Sequence, residues 1–149
     1  MARGPENRFI DSIHRIIPVD LLYHMKNHNT YNAGIADVWY SGSHGDLWVE
    51  YKYVEKLPHT INLLDRKKNY ALSALQEQWL RERYEEGRDV IVVLGCKEGG
   101  VIFKDRQWET CNTNCIPFHR REIAAWIYNH TKGTNDIPAK ARKRIERCV

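Results

Sequence analysis

Residues 34 to 53, GIADVWYSGSHGDLWVEYKY, alternate apolar and polar side chains around a Gly-rich centre, the pattern of two antiparallel strands joined by a tight turn. The expected strands cover 35–41 and 47–53. Asp37, Glu50 and Lys52 interrupt them with charge, which strands ordinarily avoid. With the turn centred on Ser43-His44, antiparallel partners have numbers summing to 87, so Tyr40 faces Leu47 and Asp37 falls opposite Glu50. On the second strand Trp48, Glu50 and Lys52 share one face, and Leu47, Val49, Tyr51 and Tyr53 the other.

Opposed residues on neighbouring strands hold their Cβ atoms about 5 Å apart. Two carboxylates at that spacing repel, and a cation between them turns the repulsion into coordination. Mg²⁺ prefers oxygen ligands and takes only one or two carboxylates from a protein, with Mn²⁺ a ready substitute. Asp37, Glu50 and the main-chain carbonyl of Tyr51 form such a set. Lys52 stands one strand step beyond, placed to orient or deprotonate a water, or to stabilise charge developing on a phosphate. The plainer alternative pairs Glu50 with Lys52 on a half-exposed strand and leaves Asp37 to cap a turn. A one-residue slip in register would also send Asp37 to the opposite face.

Around this hairpin the chain reads as one α/β domain. Pro5 suits the first turn of a helix, and Phe9, Ile10, Ile13, Ile16 and Ile17 recur at helical spacing, so residues 5–17 are expected to be helical up to Pro18. Residues 19–33 suggest a short buried turn and then a polar stretch. His24 and His28 are spaced to share a helical face, although polar loop positions account for them equally well; His44 belongs to the turn tip. Residues 54–72 read as a long connection with the basic run Arg66-Lys67-Lys68, and loops of this length are often functional. Ser73 and Gln76 fit a capping box for a helix whose core face is Leu75, Trp79, Leu80 and Tyr84 and which ends at Gly87. DVIVVLG (89–95) is a strand buried on both faces, and a Gly99-Gly100 turn leads to the strand VIF. Residues 120–130 form a last helix with Ile123, Ala124, Trp126 and Ile127 inward, 131–137 a linker, and 138–149 a basic tail or short helix. The expected division is a domain at 1–131 followed by a basic segment at 132–149.

GIAD followed by WVEYK resembles the catalytic core of the PD-(D/E)XK nuclease superfamily, with alanine in place of the proline of the name. LSALQEQWLRERYEEGRDVIVVLG resembles the segment after the active site in VRR-NUC-type phage nucleases, and small homing endonucleases of the superfamily have similar spacing. The likeness spans about residues 5 to 103. It implies a restriction-endonuclease-like α/β fold, an αβββαβ core with a mixed central sheet flanked by helices. It also implies Mg²⁺-dependent hydrolysis of DNA, with Asp37 and Glu50 as metal ligands, Lys52 as the catalytic lysine, and Glu6 and Gln76 completing the site. For Glu6 a dipole-compensating acid, and for Gln76 a capping role, are the competing explanations. Because one active site cuts one strand, a homodimer or homotetramer is implied. A site-specific homing-type enzyme, a Holliday-junction-resolving nuclease, an RNA-processing nuclease and a DNA-binding module without turnover all remain compatible with these residues.

Charge adds to the expectation of a nucleic-acid partner. The net charge is +4, and from Lys132 onward six basic residues face two acids. Arg66, Lys67, Lys68, Arg120, Arg121, Lys140, Arg142, Lys143 and Arg144 are candidate phosphate contacts, with Tyr70 and Trp108 available for base stacking. Cys96, Cys111, Cys115 and His119 form a conceivable Zn²⁺ set, against free thiols as the alternative. No apolar run approaches membrane-spanning length, and MARGPENRF lacks a signal-peptide core, so a cytosolic protein with reduced cysteines is expected.

Overall fold

The computed structural model describes residues 4–28 and 33–133. Helix α1 (Pro5–Ile16) opens with proline at its first turn and buries Phe9, Ile10, Ile13 and Ile16. Three strands follow, β1 (Tyr23–Lys26), β2 (Val38–Ser41) and β3 (Asp46–Tyr53), then the short β4 (Thr60–Ile61). Helix α2 (Ala74–Glu85), β5 (Val90–Cys96), β6 (Gly99–Phe103), β7 (Asn112–Thr113) and α3 (Arg120–Lys132) complete the order, with a 3-10 turn at Gln107–Glu109.

Five strands form one sheet in the order β1-β2-β3-β5-β6. Its pairings are antiparallel except β3 with β5, which is parallel, so the sheet is mixed. A parallel pair needs a crossover, and the chain supplies it with the 54–72 segment and α2. One face of the sheet packs Val38, Tyr40, Leu47, Val49, Tyr51, Ile91 and Val93 against α1 and α3. The other packs Val90, Val92, Leu94 and Phe103 under Leu80 of α2 and residues of the crossover. The central strand β5 therefore sits between two apolar layers, which is why DVIVVLG carries no alternation: all of β5 is buried.

Several local features differ from the sequence expectation. β1 lies where a buried turn was expected; four residues of a half-exposed edge strand leave too short an alternation to detect. His24 is thus a strand residue and shares no helical face with His28. The 54–72 connection is a packed cover, burying Ile61, Leu63, Tyr70 and Leu72 and pairing β4 with β7. Leu75 is 53% exposed and lies outside the core face of α2, to which Leu80 contributes fully and Trp79 and Tyr84 in part. Gly99 and Gly100 are strand residues, and Lys97-Glu98 make the turn. Both glycines serve a close backbone approach: Gly100 exchanges two hydrogen bonds with Phe118, and a Cβ on Gly99 would lie 1.7 Å from the Phe118 carbonyl oxygen. Helix α3 runs through Thr131 and Lys132, beyond the expected start of the linker, and buries Tyr128 and Thr131 as well as Ile123, Ala124 and Ile127. The basic segment with Lys140, Arg142, Lys143 and Arg144 lies outside the described residues. Among the described residues no helix is long and apolar enough to cross a membrane.

Candidate active site

The register of the hairpin decides which side chains meet. Val38 pairs with Val49, Trp39 with Trp48 and Tyr40 with Leu47, so the sums are 87 and the reading of the turn holds. Regular pairing stops at Val38, and Asp37 sits at a bend just before β2. Its main chain stays anchored, since the Asn27 amide donates to the Asp37 carbonyl at 2.7 Å. Its side chain is held by the Tyr51 amide, which donates to Oδ2 at 2.8 Å. Ala36, just before it, is fully buried.

Glu50, in the middle of β3, is only 1% exposed. Its Oε1 accepts from Gln76 Nε2 at 2.8 Å and lies 3.7 Å from Lys52 Nζ. Oε2 is buried and has no hydrogen-bond donor. The Asp37 and Glu50 carboxyls are near enough to share a proton. Burial first, and Asp37 second, push the Glu50 carboxyl well above the ordinary carboxylate range. Asp37 is also raised by burial, but the Tyr51 amide and Lys52 oppose the rise. Of the two, Glu50 is therefore the one that keeps a proton when nothing positive lies between them.

Glu6 reaches the same place from the first turn of α1. Burial, then the charge of Asp37, raise its carboxyl to about 7, against the pull of Lys52 and Lys26. Gln76 has two tasks at once. Its Oε1 accepts from the Ser73 amide at 2.9 Å and its own amide donates to Ser73 Oγ at 3.1 Å, completing the capping box. The remaining amide nitrogen is the one that reaches Glu50. The fold thus brings Glu6, Asp37, Glu50, Lys52 and Gln76 together. Lys26 is a cation the sequence does not suggest, because the short, half-exposed β1 that carries it has too little alternation to read as a strand; its charge reaches Glu6 and Asp37 while its Nζ donates to Asn7 at 3.2 Å.

Behind the site, on the α1 face, runs a buried polar chain. Tyr51 Oη and Tyr40 Oη are 2.6 Å apart, and His14 Nε2 lies 2.8 Å from Tyr40 Oη. The His14 and His24 rings stack at 3.8 Å. Burial, then the neighbouring His24, lower His14 to about 3. Between about 3 and about 6.5 the unfolded chain binds a proton that the folded one refuses, so this contribution is complete above about pH 6.5 and lost as pH falls, by up to about 1.4 kcal/mol per unit. Denaturant titrations at about pH 7.5 and about pH 5 should show the unsubstituted protein losing about 1–2 kcal/mol more than His14→Gln. Equal losses would contradict the buried neutral imidazole.

The other sequence candidates are placed elsewhere. Tyr70 and Trp108 are 4% and 0% exposed, core residues that offer no ring to a base. Arg66 pairs with Glu77, while Lys67 and Lys68 are exposed on the same loop beside α2. Arg121 is half-buried at the start of α3. Arg120 is built into the fold, donating to Ser12 Oγ at 2.9 Å, the Lys97 carbonyl at 3.0 Å and the Cys96 carbonyl at 3.2 Å. Cys96 is buried, Cys111 exposed and Cys115 half-buried, and His119 precedes α3. Among the described residues no group of three or more His, Cys, Asp or Glu is placed to hold a metal ion, so the Zn²⁺ set does not assemble. At the Asp37–Glu50 pair a cation would rest on two carboxylates and main-chain oxygen, which suits Mg²⁺ and not a metal that needs a full protein cage. The donorless, buried Oε2 of Glu50 beside a second carboxylate fits that requirement.

A mixed five-stranded sheet with helices on both faces, in the order αβββαβ with one further strand, is a restriction-endonuclease-like fold. No protein-family model matches the sequence, and no curated protein matches it. Among solved structures the chain is similar to Hjc of Archaeoglobus fulgidus, a Holliday junction resolvase from an archaeal hyperthermophile, with a TM-score of 0.54 and 14% identity over 81% of this chain and 96% of that one. At this identity the likeness is one of fold.

Proposed function

We propose that the protein is a divalent-metal-dependent DNA endonuclease of the PD-(D/E)XK superfamily that works as a homodimer or higher homo-oligomer. The observation that carries the reading is the buried Asp37–Glu50 pair, in which Glu50 Oε2 has no hydrogen-bond partner while Oε1 lies 3.7 Å from the Lys52 ammonium. Buried like charges cost stability unless a cation or proton compensates them, so their placement asks for a functional reason. Asp37, Glu50 and the Tyr51 carbonyl would hold Mg²⁺ or Mn²⁺, which when bound supplies Lewis acidity toward the scissile phosphate and a more acidic water.

The chain's own groups do the rest. The Tyr51 amide fixes Asp37, and Gln76 fixes Glu50, so both carboxylates keep their directions without rearrangement. Lys52 Nζ is held near Glu50, able to orient the attacking water and to face the charge that develops on the phosphate oxygens. Glu6 completes the acidic wall and is available to accept a proton near neutral pH. Hydrolysis in this manner leaves 5′-phosphate and 3′-hydroxyl ends, as is usual for the superfamily.

Cutting at a defined sequence, in the manner of the small homing endonucleases, is the first substrate reading, resting on the spacing of the acid, acid and lysine. Junction resolution is the second, and the likeness to Hjc over 96% of that chain supports it. Supercoiled plasmid, linear duplex, a four-way junction and a genomic library should be incubated with Mg²⁺, with Mn²⁺ and with chelator. Breaks or nicks in at least one substrate, abolished by chelator and bearing 5′-phosphates, are expected. No cleavage of any substrate by protein that still binds DNA would favour the binding module instead.

A further inference from the structure

Around the end of β3 from Lys52, a cavity of about 360 Å³ opens between α1 and α3. Three guanidinium groups, from Arg8, Arg15 and Arg120, line it against one carboxylate, that of Glu55. Tyr53 forms its wall on the sheet side, with Oη donating to Glu55 Oε2 at 3.3 Å. Arg120 is immobilised there. Three of its five N–H groups go to Ser12, Lys97 and Cys96, and its guanidinium lies 5.0 Å from the centre of the Phe9 ring. None of those acceptors is a carboxylate, so its positive charge is fixed in direction and not neutralised. Arg15 is exposed in the last turn of α1, with no ion-pair or hydrogen-bond partner among the described residues.

We infer that this cavity receives a backbone phosphate of the bound nucleic acid, away from the one being cut, with Arg120 and Arg15 as its ligands. Two fixed or free guanidinium groups facing one space match the oxygens of a phosphodiester, which accepts paired N–H donors. The connection to the cut site is covalent on both sides. Tyr53 directly follows Lys52 in β3, and α1 carries Glu6 into the acidic cluster while Arg8 and Arg15 follow along the same helix. Lys52 and Tyr53 point to opposite faces of β3, so a nucleic acid engaged at Lys52 reaches the cavity by passing around the end of that strand. The inference rests on the nuclease reading for its ligand, but predicts residues that reading does not use.

The test is equilibrium binding of a labelled DNA duplex to the full chain in chelator, over a series of salt concentrations, with thermal melts of every variant. Arg15→Gln should weaken binding about 5- to 10-fold and lower the slope of log Kd against log salt by about one, the signature of one lost phosphate contact, without a change in melting. Arg120→Gln should weaken binding as well, its melt reporting the structural part. Arg88→Gln, at the opposite end of the sheet, should change neither affinity nor slope. Unaltered affinity and slope in both Arg15→Gln and Arg15→Glu would overturn the inference. So would displacement of the duplex by inorganic phosphate at matched ionic strength with no effect of Arg15→Gln on the slope, which assigns the cavity to free phosphate. Cleavage by the unsubstituted protein with Mg²⁺ is measured alongside. Its presence with an unaltered Arg15→Gln slope removes the cavity assignment alone, and its absence removes the nuclease reading.

Discussion

Glu50→Gln is expected to make the metal-free protein more stable and to abolish cleavage. The introduced amide keeps the shape of the side chain and the acceptor for Gln76, while the position of the donorless oxygen gains an N–H next to Asp37. A pair that must take up a proton to fold becomes one that is hydrogen-bonded without it. The gain should be about 1–2 kcal/mol, or about 2–8 °C in melting temperature for a chain of this size. Its pH dependence follows from the direction of the shift. Glu50 is raised in the folded state, so its favourable contribution is complete below the ordinary carboxylate pKa and is lost as pH rises through the raised value. Glu6, raised to about 7, behaves in the same way between about 4.5 and 7. The advantage of Glu50→Gln should therefore widen from about pH 5 to about pH 8 in chelator, and shrink or reverse with Mg²⁺. A destabilised variant, or one that still cuts, would show that Glu50 is held for packing alone.

Lys52→Ala is the second large effect. Single-turnover cleavage should fall by about 10³-fold, the order seen when one preorganised group facing developing charge is removed. Duplex affinity should stay within a few-fold, because the proposed phosphate contacts of the cavity beyond β3 and of the exposed basic loop do not involve Lys52. The change has a second consequence. Lys52 opposes the rise of Glu6, Asp37 and Glu50, so its loss lets all three carboxyls rise further. Cation binding, which needs ionised carboxylates, should then shift to higher pH. Retained cleavage by purified Lys52→Ala would remove lysine from the mechanism.

Much of this site was legible because it lies in one hairpin. A period of two and a Gly-rich turn determine which side chains oppose one another, and Asp37, Glu50 and Lys52 needed only that arithmetic. Glu6 and Gln76 were legible as helix-terminus residues, but their approach to Glu50 depends on how α1 and α2 cross the sheet, which no local pattern encodes. β1 escaped notice because YHMK is a short edge strand with both faces partly open. Tyr70 and Trp108 misled for the opposite reason. Aromatic residues beside basic ones look like stacking platforms, whereas here they close the core beneath a loop that composition alone suggested was open. Arg120 looked like a surface cation, and only the tertiary structure shows three of its N–H groups spent on main-chain and serine oxygens.

The central claim, that Asp37 and Glu50 together hold a catalytic divalent cation, is tested most directly by calorimetric titration of Mg²⁺ and Mn²⁺ into the full chain, compared with Asp37→Asn. The substitution keeps an acceptor for the Tyr51 amide, so the local structure should survive. Saturable binding by the unsubstituted protein, lost in Asp37→Asn while the melt remains cooperative, is the predicted result. Equal binding by both proteins, or none by either, would contradict it.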